Sequence, residues 1–206
     1  MKPSLTSLHL FVVVIMTLSI SSSMITTAAA QTVTDTTGRE VRNGGKYHII
    51  PIQGGRINLT NENICPLNVV VNLSSKDKPG DGFYFSHYTR DAFLRTSRIL
   101  SIDSGKKNVS GCNKSTIWTI PNAEAKAPSN LITTGGDMRK CFQVVNYPGV
   151  SRKHRTPTYM LQYCPSFCGV RVATKTCFNI STYSYKGVTR LASSGGTPFA
   201  FGFYKL

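Results

Sequence analysis

The sequence predicts an all-β domain, and three observations point there. Short β-prone runs recur along the chain at Tyr47–Ile52, Leu67–Asn72, Thr116–Ile120, Cys141–Val145, Thr158–Tyr163 and Pro198–Tyr204. Turn pairs punctuate them: Gly54-Gly55, Pro79-Gly80, Gly135-Gly136, Pro148-Gly149 and Gly195-Gly196. Within the first run, Tyr47, Ile49 and Ile52 alternate with polar or less buried positions, the period-two sign of a strand with one buried face. Regular short strands between glycine- and proline-rich turns belong to a barrel or a sandwich. No internal repeat is visible in the residues themselves.

The first 30 residues stand apart from the fold. Lys2 gives a short positive start, Leu8 to Ile20 is mostly apolar, and Ala28-Ala29-Ala30 offers a small-residue cleavage site before Gln31. That is the plan of a secretory signal peptide. Ser19, Ser21, Ser22 and Ser23 cut the apolar run short of the ~20 residues a membrane span needs, and no other segment is apolar enough. The expected mature chain is therefore a secreted domain, Gln31–Leu206, without a membrane anchor. Its length of about 176 residues fits one domain with a real core.

All six cysteines lie after the signal, and an oxidising compartment makes three disulfides the expectation. Residue identity leaves their pairing open. The formal charge of +15 falls by one on loss of Lys2. Its Lys and Arg residues are scattered, with local clusters only at Met138–Lys140 and Arg152–Arg155, and no nucleic-acid motif accompanies them. A solvated basic surface is the expectation, with no nucleic-acid partner and at most weak attraction to anionic cell-wall material. Sequons at Asn58, Asn72, Asn108, Asn113 and Asn179 are glycosylation candidates in a secreted chain. Asn108 and Asn113 flank Cys112 so closely that joint occupancy is not expected.

From Val33 to Ile49 the chain reads aliphatic-x-Asp-x-x-Gly-x-x-aliphatic-x-x-Gly-x-x-Tyr-x-aliphatic. Val33, Asp35, Gly38, Val41, Gly44, Tyr47 and Ile49 fill the positions without a gap. This stretch resembles the signature opening of the plant Kunitz-type (soybean trypsin inhibitor) family, and later landmarks carry the resemblance to Leu206. It implies a β-trefoil, a threefold pseudo-symmetric barrel of about twelve strands closed so that edges disappear.

Further matches follow in order. Cys65-Pro66-Leu67-Asn68-Val69-Val70 resembles the family's first half-cystine segment, and Cys112 with Trp118 resembles the second half-cystine and the buried tryptophan after it. The resemblance thus implies Cys65–Cys112. Tyr163-Cys164-Pro165 resembles the start of the second disulfide, and family spacing to Arg190-Leu191 favours Cys177 as its partner. Cys164–Cys177 then leaves Cys141–Cys168 as an extra bridge; Cys164–Cys168 with Cys141–Cys177 is the alternative.

Most proteins of this family inhibit serine proteases by offering one exposed loop as a substrate would. Counting from Cys65 with one residue inserted around Pro79–Gly82, the family's reactive arginine falls on Arg90, flanked by Thr89 and Asp91. Phe93 matches the aromatic that follows, Leu100 and Ile102 the next strand, and Asn43 the asparagine that braces the loop from inside. A guanidinium suits a trypsin-like pocket with a carboxylate at its base. Two features depart from the family: Asp91 sets an acid just after Arg90, and His87-Tyr88-Thr89 replaces a proline-containing approach, so a less rigid loop is expected. Arg95 and Arg98 are secondary candidates. The resemblance also leaves room for a retargeted inhibitor, of a serine carboxypeptidase or of a cysteine or aspartic protease, and for a non-inhibitory interaction or storage protein.

Pattern and resemblance disagree at one place. Ala92, Phe93, Thr96, Ile99 and Leu100 stand at helical spacing, so Tyr88–Leu100 reads as an amphipathic helix. The family has a loop and a strand there, and that is the expectation taken forward.

Enzyme chemistry is not expected. G-x-S-x-G, H-E-x-x-H and zinc-type cysteine spacings are missing. Gly44-Gly45-Lys46 has Tyr47 where a phosphate loop needs Ser or Thr, and Gly80-Asp81-Gly82 lacks a dinucleotide site's third glycine. Of the histidines, His48, His87 and His154 survive processing, with no triad suggested. No cofactor and no metal are expected, the partner is a protease, and the protein is expected to be a monomer.

Overall fold

Alternation decides which way each strand faces. In β4 (Gly82–His87), Phe83, Phe85 and His87 point inward while Tyr84 and Ser86 point out. Leu100 and Ile102 do the same in β5 (Ile99–Asp103), as do Phe142 and Val144 in β6 (Phe142–Asn146). The inward set of β1 (Lys46–Pro51) includes Tyr47 and Ile49, that of β7 (Tyr159–Tyr163) includes Leu161, and that of β11 (Ala200–Lys205) includes Phe201 and Phe203. These six strands pair antiparallel in the order β11-β1-β4-β5-β6-β7, and a β7–β11 pairing closes the ring. A closed ring leaves no strand edge to aggregate. This computed structural model describes residues 30–60, 66–74, 80–106, 115–137, 141–148, 156–169, 171, 177–193 and 195–206.

Three hairpins cap the barrel. One joins β2 (Arg56–Leu59) to β3 (Val69–Asn72), and another joins β9 (Ser181–Tyr185) to β10 (Val188–Ala192), beside the short β8 (Phe178–Asn179). The third is built on the Thr119–Thr133 bridge. They meet pairwise through Val70–Arg190, Asn68–Thr133 and Leu131–Ala192. Each third of the chain thus gives two barrel strands and one cap hairpin. The fold is a β-trefoil.

Aromatic side chains fill the barrel. Phe203 meets Phe85 edge-on with centroids 4.9 Å apart and Phe201 at 5.3 Å. Trp118, buried as expected, packs edge-on against Phe83 at 4.8 Å and reaches Phe142 at 6.3 Å. Such contacts add about 0.5–1.5 kcal/mol each to the area term.

The opening motif ties the N-terminal segment to this core. Val33 and Val41 are fully buried, and the Asp35 carboxylate accepts from the Thr37 and Arg39 N–H groups and from the Thr37 hydroxyl. Gly38, at φ +84°, closes that turn in the left-handed region where a side chain is strained. Burial raises the Asp35 carboxyl, but the Thr37 hydroxyl, the two N–H groups and the charge of Arg39 outweigh it. Its pKa lies below the usual carboxylate range.

One expectation changes, and the conflict over Tyr88–Leu100 is resolved in favour of the loop and strand. Ile52 lies past β1 in the turn that Gly54 N–H closes on Pro51, and it is 53% exposed, so it is no part of the buried stripe. The helical spacing in Tyr88–Leu100 produces no helix. The Leu94 N–H donates to Val41, the Leu94 carbonyl accepts from Val33, and the Thr96 N–H donates to Gln31, so this backbone is paired with the N-terminal segment. The same stretch then enters β5 through a turn at Ser97, whose φ is +58°.

Cys141–Cys168 and Cys164–Cys177 are both formed. Phe142 faces Tyr163 across β6 and β7, so Cys141 and Cys164 sit side by side just beyond the paired ends. A 3-10 turn, Pro165–Cys168, swings Cys168 back to Cys141, while Cys177 enters β8 beside β7 and meets Cys164. The expected Cys65–Cys112 bridge lies outside the described residues, as do residues 1–29, Asn108, Asn113 and both basic clusters. Among the described residues, no helix is long and apolar enough to cross a membrane.

Candidate functional site

The β4–β5 loop carries the candidate site. His87 ends β4 inside the protein, and Tyr88, Thr89, Arg90, Asp91 and Ala92 are all exposed. Leu94, fully buried, re-anchors the chain beyond them. Arg90 is therefore held out in solvent between two fixed points, off any helix.

Below the loop, the turn after Val41 brings Asn43 into place. Gly44 adopts φ +76°, which lets its N–H reach the Phe85 carbonyl at 2.6 Å, and the Gly45 carbonyl accepts from Phe85 at 3.2 Å. The Asn43 N–H meanwhile donates to the Ala92 carbonyl at 2.9 Å. So positioned, the side-chain amide is fully used. Its Nδ2 donates to the carbonyls of Thr89 (3.2 Å) and Asp91 (3.1 Å), and its Oδ1 accepts from the His87 N–H at 3.0 Å. The flipped amide would set oxygen against two carbonyls and NH2 against an N–H, so the network fixes its orientation. One side chain holds the peptide on both sides of Arg90.

A second set of contacts supports the loop from its entry. His87 Nε2 lies 3.0 Å from the Phe93 carbonyl oxygen, and Nδ1 lies 2.8 Å from Thr89 Oγ1. That hydroxyl also stands 3.0 Å from Asp91 Oδ2. Hydrogen bonds thus replace the stiffness that a proline would supply. The sequence shows His87 only as part of the stretch that replaces a proline and gives it no role; the signal was the polar alternation His87-x-Thr89-x-Asp91, without a partner until Phe93 folds back.

The other arginines are placed differently. Arg95 is half-buried and donates from Nη1 to Thr32 Oγ1 at 2.7 Å, and Arg98 is exposed beside the Ser97 turn. Of the sequons, Asn72 and Asn179 are exposed and Asn58 is half-buried within β2. Among the described residues, no group of three or more His, Cys, Asp or Glu side chains is arranged to hold a metal ion.

Comparison with known proteins agrees with this architecture. The chain is 27% identical over 179 residues to Kunitz trypsin inhibitor 1 of Arabidopsis thaliana, covering 84% of this chain and 78% of that one. It is 26% identical over 195 residues to miraculin of Synsepalum dulcificum, covering 86% and 84%. Among solved structures, soybean trypsin inhibitor in its complex with porcine pancreatic trypsin superposes with a TM-score of 0.66 at 25% identity, over 85% of this chain and 99% of that one. The legume Kunitz family model, described as trypsin and protease inhibitor, matches residues 33–205. The chain belongs to the Kunitz-type protease inhibitor family.

Proposed function

We propose that this protein is a secreted inhibitor of serine endopeptidases that inserts the loop around Arg90 into the enzyme as a substrate would. The observation that carries the reading is the Asn43 amide, bonded to the carbonyls on either side of Arg90. A loop held before binding loses little entropy on docking. After attack it keeps the leaving amine beside the acyl carbon, which favours re-forming the bond. The long basic side chain of Arg90 suits a pocket with a carboxylate at its base. The relatives named for trypsin inhibition, and the relative seen with trypsin, support the same target class.

The reading includes a single domain over Gln31–Leu206, a monomeric one-to-one complex and secretion after loss of residues 1–30. The test is titration of active-site-calibrated trypsin with the oxidised mature chain. Stoichiometric inhibition that disappears in Arg90→Ala is expected; full inhibition by Arg90→Ala would remove the assignment.

One observation favours a second reading. Asp91 is exposed at the position just after the scissile bond, where a trypsin-like enzyme receives an acid poorly. A retargeted inhibitor or a non-inhibitory binding or storage protein on the same scaffold accommodates that residue. A panel of serine, cysteine and aspartic proteases with a serine carboxypeptidase separates the two, because the second reading requires that trypsin be left uninhibited.

A further inference from the structure

The contacts of His87, Thr89 and Asp91 form a single chain, and counting its protons gives it a direction. The Phe93 carbonyl can only accept, so His87 Nε2 must carry a hydrogen. A hydroxyl has one proton to donate, yet Thr89 Oγ1 lies within bonding distance of both His87 Nδ1 and Asp91 Oδ2. With a neutral imidazole, Nδ1 is an acceptor, so it and the Asp91 carboxylate compete for the one Thr89 proton. One of the two Thr89 contacts is then left without a hydrogen. With a charged imidazole, Nδ1–H donates to Thr89 and Thr89 donates to Asp91. Every contact then has its proton, and the end bonds are charge-assisted.

We propose that His87 is a positioning residue for the Thr89–Asp91 loop, completing the chain to Asp91 in its charged form and leaving one of the two Thr89 links open when neutral. The functional meaning of this chain rests on the inhibitor reading; the chain itself does not. His87 is 4% exposed, and it is enclosed by Leu100 opposite on β5, by Asn43 from the turn below and by the loop's own Thr89 and Phe93. Asp91 is the carboxylate that this chain reaches. The cations on the surrounding segments, Arg42, Lys46, Arg90 and Arg98, are exposed to solvent, and Arg95 is turned to Thr32. The loop is therefore held more firmly with the His87 ring charged than with it neutral.

The experiment uses the free, oxidised mature protein and does not depend on any protease. The His87 ring nitrogens are followed by NMR from about pH 5 to pH 8, together with protection factors of the Asn43 and His87 backbone amides, which report the clamp on the loop. Protection is expected to fall about fivefold, the worth of one net hydrogen bond, with the midpoint of the His87 titration. Thr89→Val, which keeps shape but breaks the chain, should flatten the profile, whereas Arg90→Ala should leave it intact. A flat profile in the unaltered protein, or the same step in Thr89→Val, overturns the proposal. Trypsin titration at pH 8 runs in parallel. Failure to inhibit with the pH step present overturns the inhibitor reading alone and supports this assignment.

Discussion

Asn43 Nδ2 stands 3.1 Å from the carbonyl oxygen of Asp91, although the two residues are 48 apart in sequence. The same nitrogen also holds Thr89, so the peptide groups that bracket Arg90 share one donor and cannot swing independently. Removing that amide is the most direct perturbation of the loop. Asn43→Ala deletes three hydrogen bonds at an exposed to half-buried place, where each contributes about 0.5–1.5 kcal/mol net. Inhibition of trypsin should weaken at least about tenfold, and the Arg90–Asp91 bond should become a cleavable substrate bond. Inhibition constants and mass spectrometry of long incubations measure both. Unchanged inhibition by a folded Asn43→Ala protein would show that the bracing lies elsewhere.

Asp91 has opposing effects. Its Oδ2 is bonded within the loop, but its charge would be carried into the interface with the enzyme. An ionised carboxylate desolvated there without a partner weakens binding. Asp91→Asn keeps an acceptor for Thr89 and removes the charge. Affinity for trypsin-like enzymes should rise about tenfold, with little change in thermal stability. Weaker binding by this variant would mean that the acid meets a cation on the target.

Much of this site was legible before any coordinates. Val33, Asp35, Gly38, Val41 and Gly44 specify a turn that leaves Asn43 below the loop, because each has a local job: buried valines, an acceptor for turn N–H groups, glycines at positive φ. The threefold order was implied by the resemblance but was not legible in the residues themselves. It resides in where strands begin and whom they pair with, and the thirds fill equivalent places with different side chains: Asn68, Leu131 and Arg190 on one side of the three cap contacts, Thr133, Ala192 and Val70 on the other. The bracing role of His87 was not legible for a related reason. Its partner is a backbone carbonyl, at Phe93, and any residue type provides one. The helical spacing after Tyr88 goes unused because Leu94 and Thr96 satisfy their backbones across the chain, with Val41, Val33 and Gln31, as the loop and strand implied by the resemblance require.

Asp35 links stability to pH. Its carboxyl pKa is lowered in the folded protein, so its contribution is fully present above the unfolded value of about 4 and is lost as pH falls through its own lower value. Urea unfolding between about pH 2 and pH 7 should therefore show Asp35→Asn less stable than the parent at neutral pH by about 2–3 kcal/mol. The gap should narrow as acid is added below about pH 4. Parallel curves would mean that the Thr37 and Arg39 hydrogen bonds contribute no net preference for the ionised form.

The two described disulfides separate stability from loop geometry. Cys141–Cys168 closes a separation of 27 residues and Cys164–Cys177 one of 13, for which chain entropy gives upper values of about 3–4 and about 3 kcal/mol. Both lie around β6, β7 and β8, whereas the clamp on the loop comes from the turn at Asn43. Cys141→Ser with Cys168→Ser should lower the melting temperature markedly yet change trypsin inhibition at 25 °C by less than about threefold, as for distant, independent sites. The contrary result has a definite physical route. Ser97 N–H donates to Val144 on β6, and Ile99 pairs with Gln143, so a shift of β6 would reach the far end of the loop. A folded variant that loses inhibition would therefore place control of the loop on its β6 side and demote Asn43 to one brace of two.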